Sequence, residues 1–129
     1  MSTIEEWCEG VFKDAQVAWI LLKNRGGKLK DACAEFENVL KDKKADAKKK
    51  QGTRKALKDG VDSAQDGIDK AEDLVKKGDG IIDILKKKYG SDAEKKCKKA
   101  MDELKTAKDY QKDIKPIMDK SKKLLKDNP

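Results

Sequence analysis

The chain has 129 residues, 36% of them hydrophobic and 44% charged, with a formal net charge of +7 and no histidine. Such sparse apolar content fills a slender structure with a high ratio of surface to volume more readily than a compact sphere. Two prolines and six aromatic residues supply a β-rich fold poorly, and the lack of His removes the commonest general base, metal ligand and partner of a nucleophile.

The predicted fold class is all-α: an elongated antiparallel helical bundle of about four helices with coiled-coil-like seams, covering residues 1–129 as one domain. The first helix is expected over residues 3–24. Thr3 and Glu6 stand at the spacing of a capping box, and Glu5 and Glu6 suit the positive end of the helix dipole. Apolar residues recur at Ile4, Trp7, Cys8, Val11, Phe12, Ala15, Ala18, Trp19 and Leu22, one face at the helical period. Val17, Ile20 and Leu21 add a second apolar flank, so this helix is expected either to be central or to await a partner. Asn24 to Gly27 reads as its end.

A second helix is expected over 28–50, with Leu29, Ala32, Cys33, Phe36, Val39 and Leu40 facing inward. Beyond Leu40 the seam positions pass to Lys43, Ala47, Lys50 and Arg54, which no neighbour would bury cheaply. The stretch is therefore read as a solvated tip, turning near Gln51 to Thr53 around Gly52. The third helix, over 53–89, carries the clearest heptad: Leu57, Val61, Ala64, Ile68, Ala71, Val75, Gly78, Ile82, Leu85 and Tyr89 alternate steps of three and four. Gly60 and Gly67 beside this seam predict a shallow groove for a bulky neighbour, with Trp7, Phe12 and Trp19 as the knobs. Gly78 and Gly80 predict a local bend. The heptad phase from Cys33 to Tyr89 is unbroken, so a single helix spanning the second and third segments is the rival architecture.

Gly90, followed by Ser91, Asp92, Ala93 and Glu94, joins a helix-ending glycine to a capping box and is the strongest boundary in the chain. The fourth helix is expected over 91–127, with Cys97, Ala100, Leu104, Ala107, Ile114, Met118 and Leu125 on its seam and a kink between Lys112 and Pro116.

Cys8, Cys33 and Cys97 are odd in number and each falls on an apolar stripe, so all three are read as buried thiols; a Cys33–Cys97 bond would require their helices to touch. The acidic start lacks the basic region of a signal peptide, and the longest apolar run, Val17 to Leu22, is too short to span a bilayer. The expected setting is cytoplasmic and reduced.

The chemistry-bearing motifs fail one by one. Asp62, Asp66, Gly67, Asp69 and Asp73 imitate a calcium loop, yet Ala64 occupies a ligand position and no Glu closes the loop. There is no Cys-x-x-Cys and no phosphate-binding glycine loop, so neither a cofactor nor a metal is expected and the chain is read as no enzyme. Between Lys28 and Gly60 there are eleven basic and six acidic residues. Thirty of the thirty-two basic side chains are Lys, which suits solvated helix surfaces more than planar phosphate recognition. With no aromatic residue for base stacking in the Lys41 to Lys58 stretch, specific nucleic-acid recognition is not expected.

These patterns point to a non-catalytic helical protein-binding module, such as an inhibitor, an immunity-type protein, an adaptor or a chaperone. Its partner-binding candidates are Val17, Trp19, Ile20 and Leu21 on the first helix and Lys43, Lys48, Lys49, Lys50 and Arg54 at the tip, facing a partner with an acidic surface. The alternative is a membrane-surface protein holding anionic lipid with amphipathic Lys-rich helices. The stripes also allow the core to be completed by a symmetric assembly of identical chains.

Overall fold

A computed structural model describes residues 3–129. They form an all-α bundle in the order α1 (Ile4–Lys41), α2 (Ala47–Tyr89), α3 (Ser91–Lys96) and α4 (Lys98–Asp127). At 1.5 Å per residue α1 is about 57 Å long and α2 about 64 Å.

Thr3 caps α1 as its sequence predicts, its hydroxyl accepting the Glu6 amide at 3.2 Å. The predicted break at Asn24 to Gly27 does not occur. One helix runs through both glycines, because its buried stripe keeps phase across them: Ala18, Leu22, Gly26, Leu29, Cys33 and Phe36 are all buried on one side. Two interior glycines cost about 2 kcal/mol of propensity, less than the burial of Leu29 and Phe36 on the same stripe returns. Gly26 lies against Ile114 of α4, and Arg25 crosses to α2, donating to Asp66 and to the Ser63 carbonyl at 2.8 Å each.

The chain reverses instead at residues 42–46, and the expected turn around Gly52 is overturned. Asp42 accepts the Lys44 amide at 2.9 Å, an Asx-type turn, and Asp46 caps α2 by accepting the Lys49 amide at 2.7 Å. Gly52 is exposed inside α2. The four predicted spans thus become two long helices and a divided third arm, and the rival merger of the second and third segments is excluded by the same reversal.

α2 continues through Gly78 and Gly80 without a break, so these glycines do not end it. Gly78 marks a close approach of three helices: a Cβ there would lie 2.9 Å from Leu104 and 3.3 Å from Val11. The neighbours of the α2 glycines are aliphatic stems and not the predicted aromatic knobs, since Gly60 faces Leu29 and Gly67 faces the Arg25 side chain.

Gly90 ends α2 with φ of 61°, a left-handed backbone that favours glycine. Ser91, however, makes no capping hydrogen bond. The third arm is divided at Cys97, between α3 and α4, and α4 then runs through Pro116.

Val11 meeting Gly78, and Leu29 meeting Gly60, set α1 antiparallel to α2, while Leu104 at Gly78 and Leu125 at Arg54 set α4 antiparallel to α2. The core is one cluster along the axis, with Phe36, Leu22, Leu29 and Leu57 among its largest fully buried side chains. No helix is long and apolar enough to cross a membrane among the described residues.

Candidate functional site

The predicted apolar surface of α1 separates into exposed and packed members. Val17 and Ile20 are 56% and 44% exposed. Leu21 is half-buried. Trp19 is also half-buried and already engaged: its ring stacks on Tyr110 with centroids 5.8 Å apart, and its indole N–H donates to Glu103. It joins α1 to α4, and its polar edge is satisfied within the fold.

Trp7 and Tyr89, both assigned to seams from periodicity, are instead 48% and 40% exposed. They stand at the same end of the bundle as Ile84, at 65% the most exposed large apolar residue among those described. Together with Ile81, Leu85 and Lys88 they line one shallow apolar depression between α1 and α2. Periodicity does not reveal it, because Trp7 and Ile84 lie on the flanks of their stripes, where only the neighbouring helix decides burial. Trp7, Val17, Ile20, Ile84 and Tyr89 all belong to α1 and α2, and among the described residues α4 exposes no large apolar side chain.

At the opposite end, Lys43, Lys48, Lys49 and Lys50 project freely into solvent. Arg54 does not. Its guanidinium donates to the carbonyls of Asn128 at 2.8 Å and Leu125 at 3.1 Å, and so caps the negative end of the α4 dipole. Arg54 is a structural clasp rather than a free contact. By holding the end of α4 beside the tip it brings in Lys120, Lys122, Lys123 and Lys126. Residues 41–58 and 119–127 together carry thirteen basic and four acidic side chains, more positive charge than the whole chain's +7. Lys120 is partly neutralised by Glu37 at 2.7 Å, which holds its pKa above the ordinary value.

Cross-helix ion pairs are concentrated elsewhere. Glu5 meets Lys96 at 3.0 Å, and that hydrogen bond lowers the Glu5 pKa and raises that of Lys96. The Arg25 guanidinium, followed by Lys70, holds Asp66 below the ordinary carboxylate range. These groups are solvent-exposed and fasten the surface modestly.

The expectation of three free thiols is corrected. Cys8 and Cys97 form a disulfide with Cα atoms 5.1 Å apart, which ties the first turns of α1 to the α3–α4 junction. Both are buried, and Cys33 remains a buried free thiol. Spacing along the chain carried no sign of this pairing, since 89 residues separate the partners. Among the described residues no group of three or more His, Cys, Asp or Glu side chains converges to hold a metal ion. The arrangement therefore presents two exposed surfaces of different chemistry, one apolar and one cationic, at the two ends of a long bundle. Comparison with family models, with curated proteins and with solved structures found no match for the chain.

Proposed function

We propose that this protein is a non-catalytic binding module that engages another protein through the apolar surface of α1 and α2. One observation carries the reading: every exposed large apolar side chain among the described residues lies on these two helices, and three of them, Trp7, Ile84 and Tyr89, gather in one depression, a contiguous patch of the kind that marks contact surfaces. The partner surface comprises the depression around Trp7, Ile84 and Tyr89 and the outward ridge of Val17 and Ile20. Trp19 and Arg54 leave the set of contact residues, because both are committed within the fold.

The test is affinity capture from an extract of the native cells with the oxidised full-length chain, followed by mass spectrometry. A protein recovered by the wild type and lost with both Ile84→Asp and the Val17→Asp, Ile20→Asp pair, each retaining its helical circular dichroism, supports the proposal. Recovery of nothing that depends on these residues rejects it.

A second reading rests on the cationic end, where thirteen basic side chains gather against four acids. Such a cluster draws an anionic bilayer electrostatically, with about 1 kcal/mol per lysine near the surface. Sedimentation with vesicles containing phosphatidylserine discriminates: association that vanishes at high salt and on Lys48→Glu, Lys49→Glu, Lys50→Glu supports it, and none at low salt rejects it. As to compartment, the buried Cys8–Cys97 bond favours an oxidising setting over the cytoplasmic one expected from the sequence. Thiol blocking of the native protein before non-reducing electrophoresis decides between them.

A further inference from the structure

A trough lined by α1 and α2 alone follows the seam between these helices. The depression at the bundle end and a second one beside it share Trp7 and Ile81, so the two are continuous. Trp7, Gly10 and Asp14 line it from α1, with Val17 one turn further on, and Lys77, Ile81, Ile84 and Lys88 line it from α2. Unlike the core stripes, this trough keeps large apolar side chains in water, since Trp7, Val17 and Ile84 are all exposed. Its centre is low. Gly10 and Gly80 are exposed, with nothing within 4 Å of the place a Cβ would take, and because Val11 meets Gly78 they stand near one level of the bundle. Four charged residues line the trough and they balance: Glu6 and Asp14 on the α1 edge, Lys77 and Lys88 on the α2 edge. The same balance holds for the half of the molecule that bears it. Residues 1–20 and 70–110, a section that includes the stack of Trp19 on Tyr110, carry thirteen basic and thirteen acidic side chains, so the net charge of +7 lies entirely in the other half.

An apolar surface of balanced charge selects neither an acidic nor a basic partner, but one acidic edge and one basic edge complement the same surface turned over. Two-fold rotation about an axis oblique to the helices sets the acidic α1 edge of each copy toward the basic α2 edge of the other, the isologous contact of a closed dimer. We propose that a second copy of this chain occupies the trough. The inference rests on the reading of the α1–α2 surface as a contact surface and names its occupant. Trp7 and Ile84 of each copy leave water against the partner's helices, and the bare centre at Gly10 and Gly80 lets the two helix pairs come close. The Cys8–Cys97 bond anchors the turn that carries Trp7, so the surface is formed before it associates. Charge decides the arrangement. From Gly10 to Lys41 α1 runs about 47 Å, so two copies that cross at their neutral ends keep their lysine-rich tips apart by several times the screening length of about 8 Å at physiological ionic strength. Packing along the tips would instead set like charges against each other.

Sedimentation velocity of the oxidised full-length chain, from micromolar to millimolar concentration, tests the proposal. The wild type is expected to pass from monomer to dimer as concentration rises. Ile84 enters a two-fold interface twice, so Ile84→Asp is expected to weaken association by roughly a hundredfold or more. Gly10→Gln, whose Cβ meets nothing within 4 Å in its own chain, is expected to keep its helical circular dichroism and to lose the dimer as well, which separates loss of the interface from loss of the fold. Lys48→Glu, Lys49→Glu, Lys50→Glu at the far end should leave association unchanged at physiological salt. A wild type that stays monomeric throughout overturns the inference, and so does a dimer that persists in both Ile84→Asp and Gly10→Gln. Affinity capture separates this inference from the wider reading. If a monomeric chain recovers a different protein through Ile84, the α1–α2 surface is a contact surface but its occupant is not a second copy, and the inference fails. If the wild-type dimer depends on Ile84 and the chain itself is the protein recovered, the inference holds.

Discussion

Gly78 and Gly80 lie two residues apart in α2, and alanine at the two positions should act in opposite directions. Either substitution removes the entropy penalty of an interior glycine and gains about 1 kcal/mol of helix propensity. At Gly80 nothing lies within 4 Å of the added methyl, so Gly80→Ala should stabilise by about that amount. At Gly78 the methyl would stand 2.9 Å from Leu104 and 3.3 Å from Val11, wedging α2 away from α4 and α1 together. Overpacking of this kind costs about 1–3 kcal/mol, which exceeds the propensity gain and leaves Gly78→Ala destabilised by about 1 kcal/mol. The separation of about 2 kcal/mol between the variants corresponds to roughly 1 M in the urea midpoint for a denaturant slope near 2 kcal/mol/M. Urea titrations followed by circular dichroism under non-reducing conditions measure it. If Gly78→Ala raises the midpoint as much as Gly80→Ala does, the three helices do not converge at Gly78 and the packing register described above is wrong.

The Cys8–Cys97 bond closes a loop across 89 positions of sequence, for which the chain-entropy model gives about 4.6 kcal/mol. Reduction, or Cys8→Ser with Cys97→Ser, should therefore lower Tm by as much as about 17 °C at a typical unfolding entropy per residue; unchanged calorimetric melts with and without reductant would contradict the pairing. Ser121 is fully buried and its hydroxyl has no hydrogen-bond partner, so Ser121→Ala should stabilise by about 1 kcal/mol, and a lower urea midpoint would point to a hidden partner for that oxygen. Glu5, Asp66 and Glu72 all have pKa values lowered in the fold, by hydrogen bonds from Lys96, from Arg25 and from Lys76 respectively. A carboxylate lowered in the fold contributes stability above its unfolded value, 4.5 for Glu and 3.8 for Asp, and loses it as pH falls through the folded value. Lys76, Lys96 and Lys120 are raised, so their contribution is complete below 10.5 and disappears as pH rises through the folded values. Thermal melts should accordingly be flat around neutrality, where no histidine titrates, and fall at both extremes; a steep change between pH 6 and 8 would refute these assignments.

Periodicity along the chain was sufficient to establish helices, to identify most of the buried stripe residues and to locate the caps at Thr3 and Gly90, because burial of one helix face imposes a repeat that any window of the sequence displays. Where the helices end was decided by tertiary packing. Gly26 and Gly27 resemble a terminus, yet their propensity cost is small beside the burial gained by carrying the Leu22 stripe on to Leu29 and Phe36. Gly52 resembles a turn, whereas Asp42 and Asp46 provide one through short side-chain acceptors embedded in a lysine run. Two tryptophans of one helix met different fates for the same reason: Trp19 faces Tyr110 and Glu103 of α4 and is enclosed, while Trp7 lies at the bundle end beside Ile81 and Ile84 and stays open. Cys8 and Cys97, and Arg54 and the end of α4, are likewise neighbours in space only. A sequence repeat states which side of a helix turns inward, but which partner waits there depends on how three helices are laid against one another, and the surfaces available for binding are set at that second step.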